Sequence, residues 1–433
     1  MRRGRGPGLS GSAEPFGGYM TSFEKIDADL TTPSYFAGDG FHEIFKILRN
    51  EDPVHWTKGH HDRGYWSVTR YADCVNVLQN AALFNSSEGS HLPPTATALT
   101  DEERYAMGYG SMPTHTDPPH HMTMRRPFNK HFYPKEIARF REKCERAVDT
   151  ILAEVGPRGE CELVEDVAAL LPVILVLEMM GVPSKDWPMI RHHCVTFMSS
   201  QDPEFQIEGD PVKTKAMAQR AVFDYVFDLA MQRRREPTDD FTSLIGTMEI
   251  EGELMSERDV GWWCFSLVAA GLETTRNAVA LGVLELMRHP EQAALWRADA
   301  SLADTASEEI LRWVTPSKHK LRVAAADTEL GGKQIRKGDW VVVWLASANR
   351  DENVFERPDE FNLRRTPNRH LTFGIGEHVC LGRHLARLEL EVLIKRILDL
   401  MPDIALNGPV DYLASDNTNG LKRLPVRFTP FQL

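Results

Sequence analysis

The chain has 433 residues but only six cysteines, and no two of them form a CxxC pair. That argues against a disulfide-stapled scaffold and against a paired-cysteine zinc module. Long apolar runs are also missing. The longest, Val167 to Leu177 and Trp262 to Leu272, stop at Glu178 and Glu273. A bilayer helix needs roughly twenty residues, so both read as core helices. Positive charge is scarce: 50 Lys and Arg stand against 62 Asp and Glu, a formal net charge of −12. A nucleic-acid coat would show a basic face, whereas a local basic patch remains compatible with this total. No apolar leader opens the chain either. Residues 1–19, MRRGRGPGLSGSAEPFGGY, have little to bury and read as a disordered tail, with Met20 as an alternative start. Reduced thiols and the lack of a leader predict a cytoplasmic protein.

Past the tail, no repeat or linker divides residues 20–433, which read as one large domain, mainly α with a minor β portion. Gly64 to Arg70 alternates as a strand and runs into a helix over Tyr71 to Gln79. Ser86 to Pro113 is a long polar loop carrying a short helix, and loops of that length are usually functional. Helical patterns dominate from Pro134 to about His289, broken by prolines. Arg322 to about Ala346 is β-branched with Gly331-Gly332 and Lys337-Gly338 turns, a small sheet. Asn349 to Thr372 is irregular, and a long helix follows from about Leu381 to Leu400.

Phe373 to Gly382, FGIGEHVCLG, carries the chemistry. It sets Cys380 between glycines, directly before a helix, where backbone N–H groups and the positive helix end favour a thiolate. Gly374 and Gly376 permit backbone conformations and close approach that a Cβ would obstruct. A dinucleotide fingerprint fails, because Val379 stands where the third glycine belongs. A zinc site fails because neither Cys380 nor His378 has a paired ligand nearby. The remaining cysteines, Cys74, Cys144, Cys161, Cys194 and Cys264, read as small buried hydrophobes.

FGIGEHVCLG resembles the haem-binding loop of the cytochrome P-450 family, FGxGxHxCxG, with every fixed position filled. Further segments resemble the family's motifs in order. Ala270-Gly-Leu-Glu-Thr-Thr275 is similar to the central-helix pattern [AG]Gx[DE]TT. In physical terms Gly271 costs a helix about 1 kcal/mol against alanine. The Thr274 hydroxyl can bond back to the Ala270 carbonyl. Glu309-Ile-Leu-Arg312 matches ExxR, two charges on one helix face, and within PDEFNLRR the third member falls on Arg365, with Arg364 adjacent. Asn362 stands where the family often has Asp. DPPHHMTMRR resembles DPPxHxxxR, which points to His121 and Arg125, with His120 the less suited histidine.

The resemblance implies the cytochrome P-450 fold around a b-type haem. Cys380 would be the axial iron ligand, and Phe373, Gly374, Gly382, Ala270 and Gly271 would line the haem. His121, Arg125, Arg322 and His378 would meet its propionates, and Glu309, Arg312 and Arg365 would lock the loop. Thiolate ligation in this family favours O–O cleavage. Glu273 and Thr274 would form the acid–alcohol pair that delivers protons to dioxygen. The implied reaction inserts one atom of O₂ into a small, largely hydrophobic substrate such as a terpenoid, steroid or fatty acyl compound. Oxidative coupling or rearrangement is the alternative, and a non-catalytic haem-thiolate sensor or carrier is a third reading.

The chain carries no flavin, nicotinamide or iron–sulfur signature of its own. Electrons from NAD(P)H would therefore arrive through a ferredoxin and its reductase, docking on Arg126, Lys130, Arg383 and Arg387. A monomer is expected. For the pocket the reading selects Val268, Ala269, Ser317 and Lys318, the Ser86–Pro113 loop and the Met179–Met198 region. Lys318 or His319 is a candidate anchor for a substrate carboxylate or another polar acceptor.

Overall fold

The computed structural model describes residues 23–59, 63–93 and 99–433, so the predicted tail lies outside the described residues. Its axis is one helix of 32 residues, Glu257–Arg288, roughly 48 Å long at the usual rise per residue. Ser256 caps it, accepting the Asp259 N–H at 3.1 Å. Helix Pro211–Arg235 packs along its first half and starts at Asp210, whose carboxylate accepts the N–H groups of Val212 and Lys213.

One apolar cluster joins the second half of the central helix to helices Arg141–Val155, Ala303–Val314 and Arg383–Leu400. Another joins its first half to Leu170–Met179, Trp187–Met198 and Pro211–Arg235. No helix among the described residues is long and apolar enough to cross a membrane.

The β portion is a five-stranded sheet in the order Val54–Thr57, Tyr65–Val68, Trp340–Trp344, His319–Ala324, Phe84–Asn85. Trp340–Trp344 is buried along its whole length, as its unbroken WVVVW run suits, and pairs parallel with Tyr65–Val68 and antiparallel with His319–Ala324. Apolar clusters cover both faces of this sheet.

The helix over Tyr71–Gln79 forms as the sequence predicts, and the strand before it is confined to Tyr65–Val68. The later β segment begins at His319, three residues before Arg322, while Leu345–Ala348 turns helical. The last long helix starts at Arg383, with Gly382 at its N-cap. Inside the polar loop, Asp101–Ala106 is a helix opened by a reciprocal Thr100–Glu103 capping box.

Candidate active site

The central helix, the Cys380 loop and the strand His319–Ala324 enclose a cavity of about 310 Å³. Along the helix its lining follows Trp263, Ser266, Leu267, Ala270, Gly271, Thr274, Thr275 and Ala278. These positions recur three or four residues apart, one stripe of the helix. Ala270 is exposed within this otherwise buried stretch, so its surface opens to the cavity. Gly271 has a packing reason: a Cβ there would lie 2.9 Å from Val176 Cγ2 on the neighbouring helix. The Thr274 hydroxyl donates to the Ala270 carbonyl at 3.0 Å. Its one donor is thus spent, and its lone pairs remain for a partner in the cavity.

Glu273 is placed differently from the expected pair. One residue earlier, about 100° around the helix, it is buried off the cavity stripe. It accepts the Arg276 Nη1 hydrogen bond at 2.6 Å. Arg276 in turn donates to the Leu421 carbonyl and pairs with Glu165.

Across the cavity, Cys380 is the one exposed cysteine of six, and its exposed surface lines the cavity. Burial among protein atoms pushes its thiol above the usual range. The Gly382 N–H and the cations Arg125, Lys320 and Arg383 oppose that shift. The loop is fixed by its glycines. Gly374 and Gly376 sit at φ +67° and +77°, and a Cβ on Gly376 would stand 2.8 Å from the Leu78 carbonyl oxygen. The Cys380 N–H donates to the Phe373 carbonyl at 2.8 Å. Arg387 lies over the Phe373 ring, 4.6 Å from its centroid.

At one end of the cavity gather His121, Arg125, Arg322 and His378. His121 is buried, its Nδ1 has no hydrogen-bond partner, and its ring stacks on His378 at 4.1 Å. Arg125 donates to the carbonyls of Glu377 and Val379, bracing the cysteine loop. Arg322 donates to its neighbour's carbonyl, Leu321. Burial lowers Arg322 to about 10 and His121 to about 3. Neither arginine forms an ion pair with a carboxylate among the described residues. Buried cations and an orphaned imidazole nitrogen at one end of a slot, with a thiol at its floor, suit a flat metal-bearing group with two carboxylates. The residues present therefore fit a haem.

Beneath the loop, Glu309 receives Arg312 at 2.7 and 2.8 Å and Arg365 at 3.0 Å. Glu309 and Arg312 are wholly buried. Both arginines also donate to backbone carbonyls of the irregular segment, Arg312 to Asn349 and Arg365 to Glu356. Arg364 is exposed, so Arg365 is the third member. Asn362 contributes its N–H to Glu309 at 2.9 Å.

A second chamber of about 340 Å³ adjoins the first and shares Ser90, Ala270, Thr274, Ser317 and Lys320 with it. Ala269 and Ser317 line it as expected, with Tyr109, Met112, Phe197 and Met198 from the anticipated segments. Two expectations need correction. Val268 is buried in the core, off the cavity stripe. Lys318 does not reach either cavity, because its ammonium donates to the carbonyls of Ser415 and Thr418 at 2.8 Å each. His319 likewise turns inward, accepting the Leu92 N–H and meeting the Asp416 carbonyl. The strand alternates, so Lys320 shares the cavity face with Arg322. Lys215, His91 and His115 line the chamber too, and sequence reasoning did not single them out. Of the expected docking cations, Arg126 and Lys130 are exposed, whereas Arg387 is engaged by Glu308 at 2.5 and 3.0 Å.

A sequence profile of the cytochrome P-450 family matches residues 297–400. Cytochrome P-450-terp of Pseudomonas sp is 32% identical over 94% of this chain and 98% of its own length. Steroid C26-monooxygenase of Mycolicibacterium smegmatis is 33% identical over 88% of this chain and 89% of its own. Among solved structures, a Mycobacterium marinum cytochrome P-450 in complex with pseudoionone superposes with a TM-score of 0.85. It has 31% identity and covers 93% of this chain and 97% of that one.

Proposed function

The chain belongs to the cytochrome P-450 family of haem-iron monooxygenases, and from that premise we propose that it oxygenates a lipid-like small molecule with electrons delivered by a ferredoxin. The observation that carries this reading is the opposition of Cys380 to the Ala270–Thr274 stripe across one apolar cavity. A haem held there would supply O₂ activation, its thiolate ligand pushing electron density that favours O–O cleavage.

The chain's own groups divide the remaining work. Cys380 would hold the iron, its loop positioned by the Cys380 N–H to Phe373 carbonyl bond and by Arg125 donating to the Glu377 and Val379 carbonyls. His121, His378 and Arg322 would meet the propionates, with Arg125 close by. Phe373, Gly374 and Gly382 line the cavity on the Cys380 side and would lie against the haem. Thr274 is the proton-handling hydroxyl at the reaction face. Glu273 is a positioning residue, because its carboxylate is tied to Arg276. Apolar walls formed by Trp263, Leu267, Val176 and Phe265 exclude bulk water and accept a hydrophobic skeleton. The relatives named for a steroid and for a pseudoionone complex support that substrate class. Arg126 and Lys130, exposed on the helical segment that carries Arg125, offer cations to an acidic ferredoxin.

Turnover under isotope-labelled O₂ with ferredoxin, its reductase and NAD(P)H tests the proposal on a panel of terpenoids, steroids and fatty acids. One labelled oxygen in the product is expected, with a rate that falls steeply as salt is added. Unlabelled product, or coupled product without oxygen, would overturn the insertion reading.

A further inference from the structure

The chamber beyond Thr274 holds more positive charge than its own carboxylates answer. Glu88 is the one acid among the described residues lining it, and Arg104 already engages it at 2.9 Å. Two lysines remain. Lys320 Nζ lies 2.8 Å from His91 Nε2 and 3.0 Å from Ser317 Oγ, both neutral acceptors. His91 is held well below its ordinary value by burial and by Lys320, so Nε2 accepts while its other nitrogen bonds Ser90 at 2.9 Å. An ammonium has three donors. Lys320 spends two within the protein and keeps one for the cavities it lines.

Lys215, from helix Pro211–Arg235, has no ion pair among the described residues, and its ammonium sits 5.6 Å from the centre of the Phe197 ring. Burial lowers both lysines, Lys320 to about 8, which still leaves it mostly protonated at neutral pH. Asp416 opposes the shift of Lys215 and Cys380 that of Lys320, but neither forms an ion pair with them among the described residues, and an enclosed ammonium without a direct ion pair is costly. Two such groups in one ligand-sized chamber point to a ligand that brings the opposite charge.

We propose that the substrate is an amphiphilic carboxylic acid, its carboxylate bound by Lys320 beside Ser317 and drawn in by Lys215, its apolar skeleton extending toward Thr274. This rests on the haem-thiolate monooxygenase reading. It differs from a propionate role for Lys320 in a specific way. Arg322, two residues along the same strand face and about 7 Å away, already serves the slot. Lys215, which lines only the second chamber, carries the charge excess beyond it.

The test is equilibrium dialysis of the haem-loaded full-length chain with radiolabelled medium- and long-chain alkanoates and their matched primary alcohols. At least one acid is expected to bind about 10- to 100-fold more tightly than its alcohol, the worth of one charge-assisted hydrogen bond. The preference should shrink in Lys320→Met and in Lys215→Met, vanish in the double variant and survive in Lys320→Arg, with haem content unchanged throughout. No acid outbinding its alcohol, or a preference that outlives the double variant, would overturn the proposal. So would loss of haem in Lys320→Met, because that places Lys320 with the propionate contacts. Failure of the haem-thiolate reading itself would show separately, in the carbon monoxide spectrum of the reduced wild-type protein.

Discussion

Glu309→Gln tests how the cysteine loop is held. The side chain keeps its shape and loses its charge, leaving Arg312 and Arg365 facing a neutral amide. Glu309 and Arg312 have no exposed side-chain surface, and Arg365 is 9% exposed. Screening by water therefore offers little relief. Removing one partner of a buried pair costs about 3–5 kcal/mol, and here one carboxylate serves two guanidinium groups, the Asn362 N–H and the Asn368 amide. For 433 residues the unfolding entropy is about 0.9 kcal/mol/K. A loss of about 4 kcal/mol then lowers Tm by about 4 to 5 °C. Calorimetry of the haem-loaded protein measures it, and haem content after gel filtration reports whether the loop loosens first. A double-mutant cycle with Arg365→Met should return a coupling of about 1–3 kcal/mol. A Tm change below about 1 °C with haem fully retained would refute the reasoning.

Thr274→Ala should leave haem binding intact while reductant is consumed without matching product and peroxide rises, read by comparing cofactor oxidation with product formed. Unchanged coupling would remove Thr274 from proton handling. Gly376→Ala places a Cβ 2.8 Å from a backbone carbonyl at φ +77°. A loss of roughly 1–3 kcal/mol and weakened haem retention are expected, and unchanged stability and haem content would contradict the assignment. His115 is held neutral in the fold, near pKa 3, chiefly by burial. The unfolded chain binds its proton below about pH 6.5, so this contribution to stability is present above that pH and is lost as pH falls toward 3. His115→Gln should flatten the urea midpoint against pH in that window, and an unaltered slope would contradict the assignment.

The parts of the site that were legible in sequence are those whose geometry is local. FGIGEHVCLG builds a loop from contiguous residues, and Glu309 with Arg312 is an i,i+3 pair on one helix. The same rule applied to Glu273 and Arg276 would have shown that Glu273 is spoken for. Val268 falls outside the cavity because the lining stripe runs through Ser266, Leu267, Ala270 and Gly271, a phase that helical spacing fixes once Thr274 is taken as its reference. Lys318 could not be placed this way. Its direction depends on a turn at residues 415–418, about a hundred positions away in sequence. Lys215 was equally silent, because only the packing of its helix over the chamber gives it a role.

The central claim is that Cys380, alone among six cysteines, is the iron ligand. The carbon monoxide difference spectrum of the reduced, haem-loaded protein tests it most directly. A thiolate-type Soret band is expected in the wild type, persisting when any of Cys74, Cys144, Cys161, Cys194 or Cys264 is replaced by serine and lost in Cys380→Ser. A thiolate-type band that survives Cys380→Ser would contradict it.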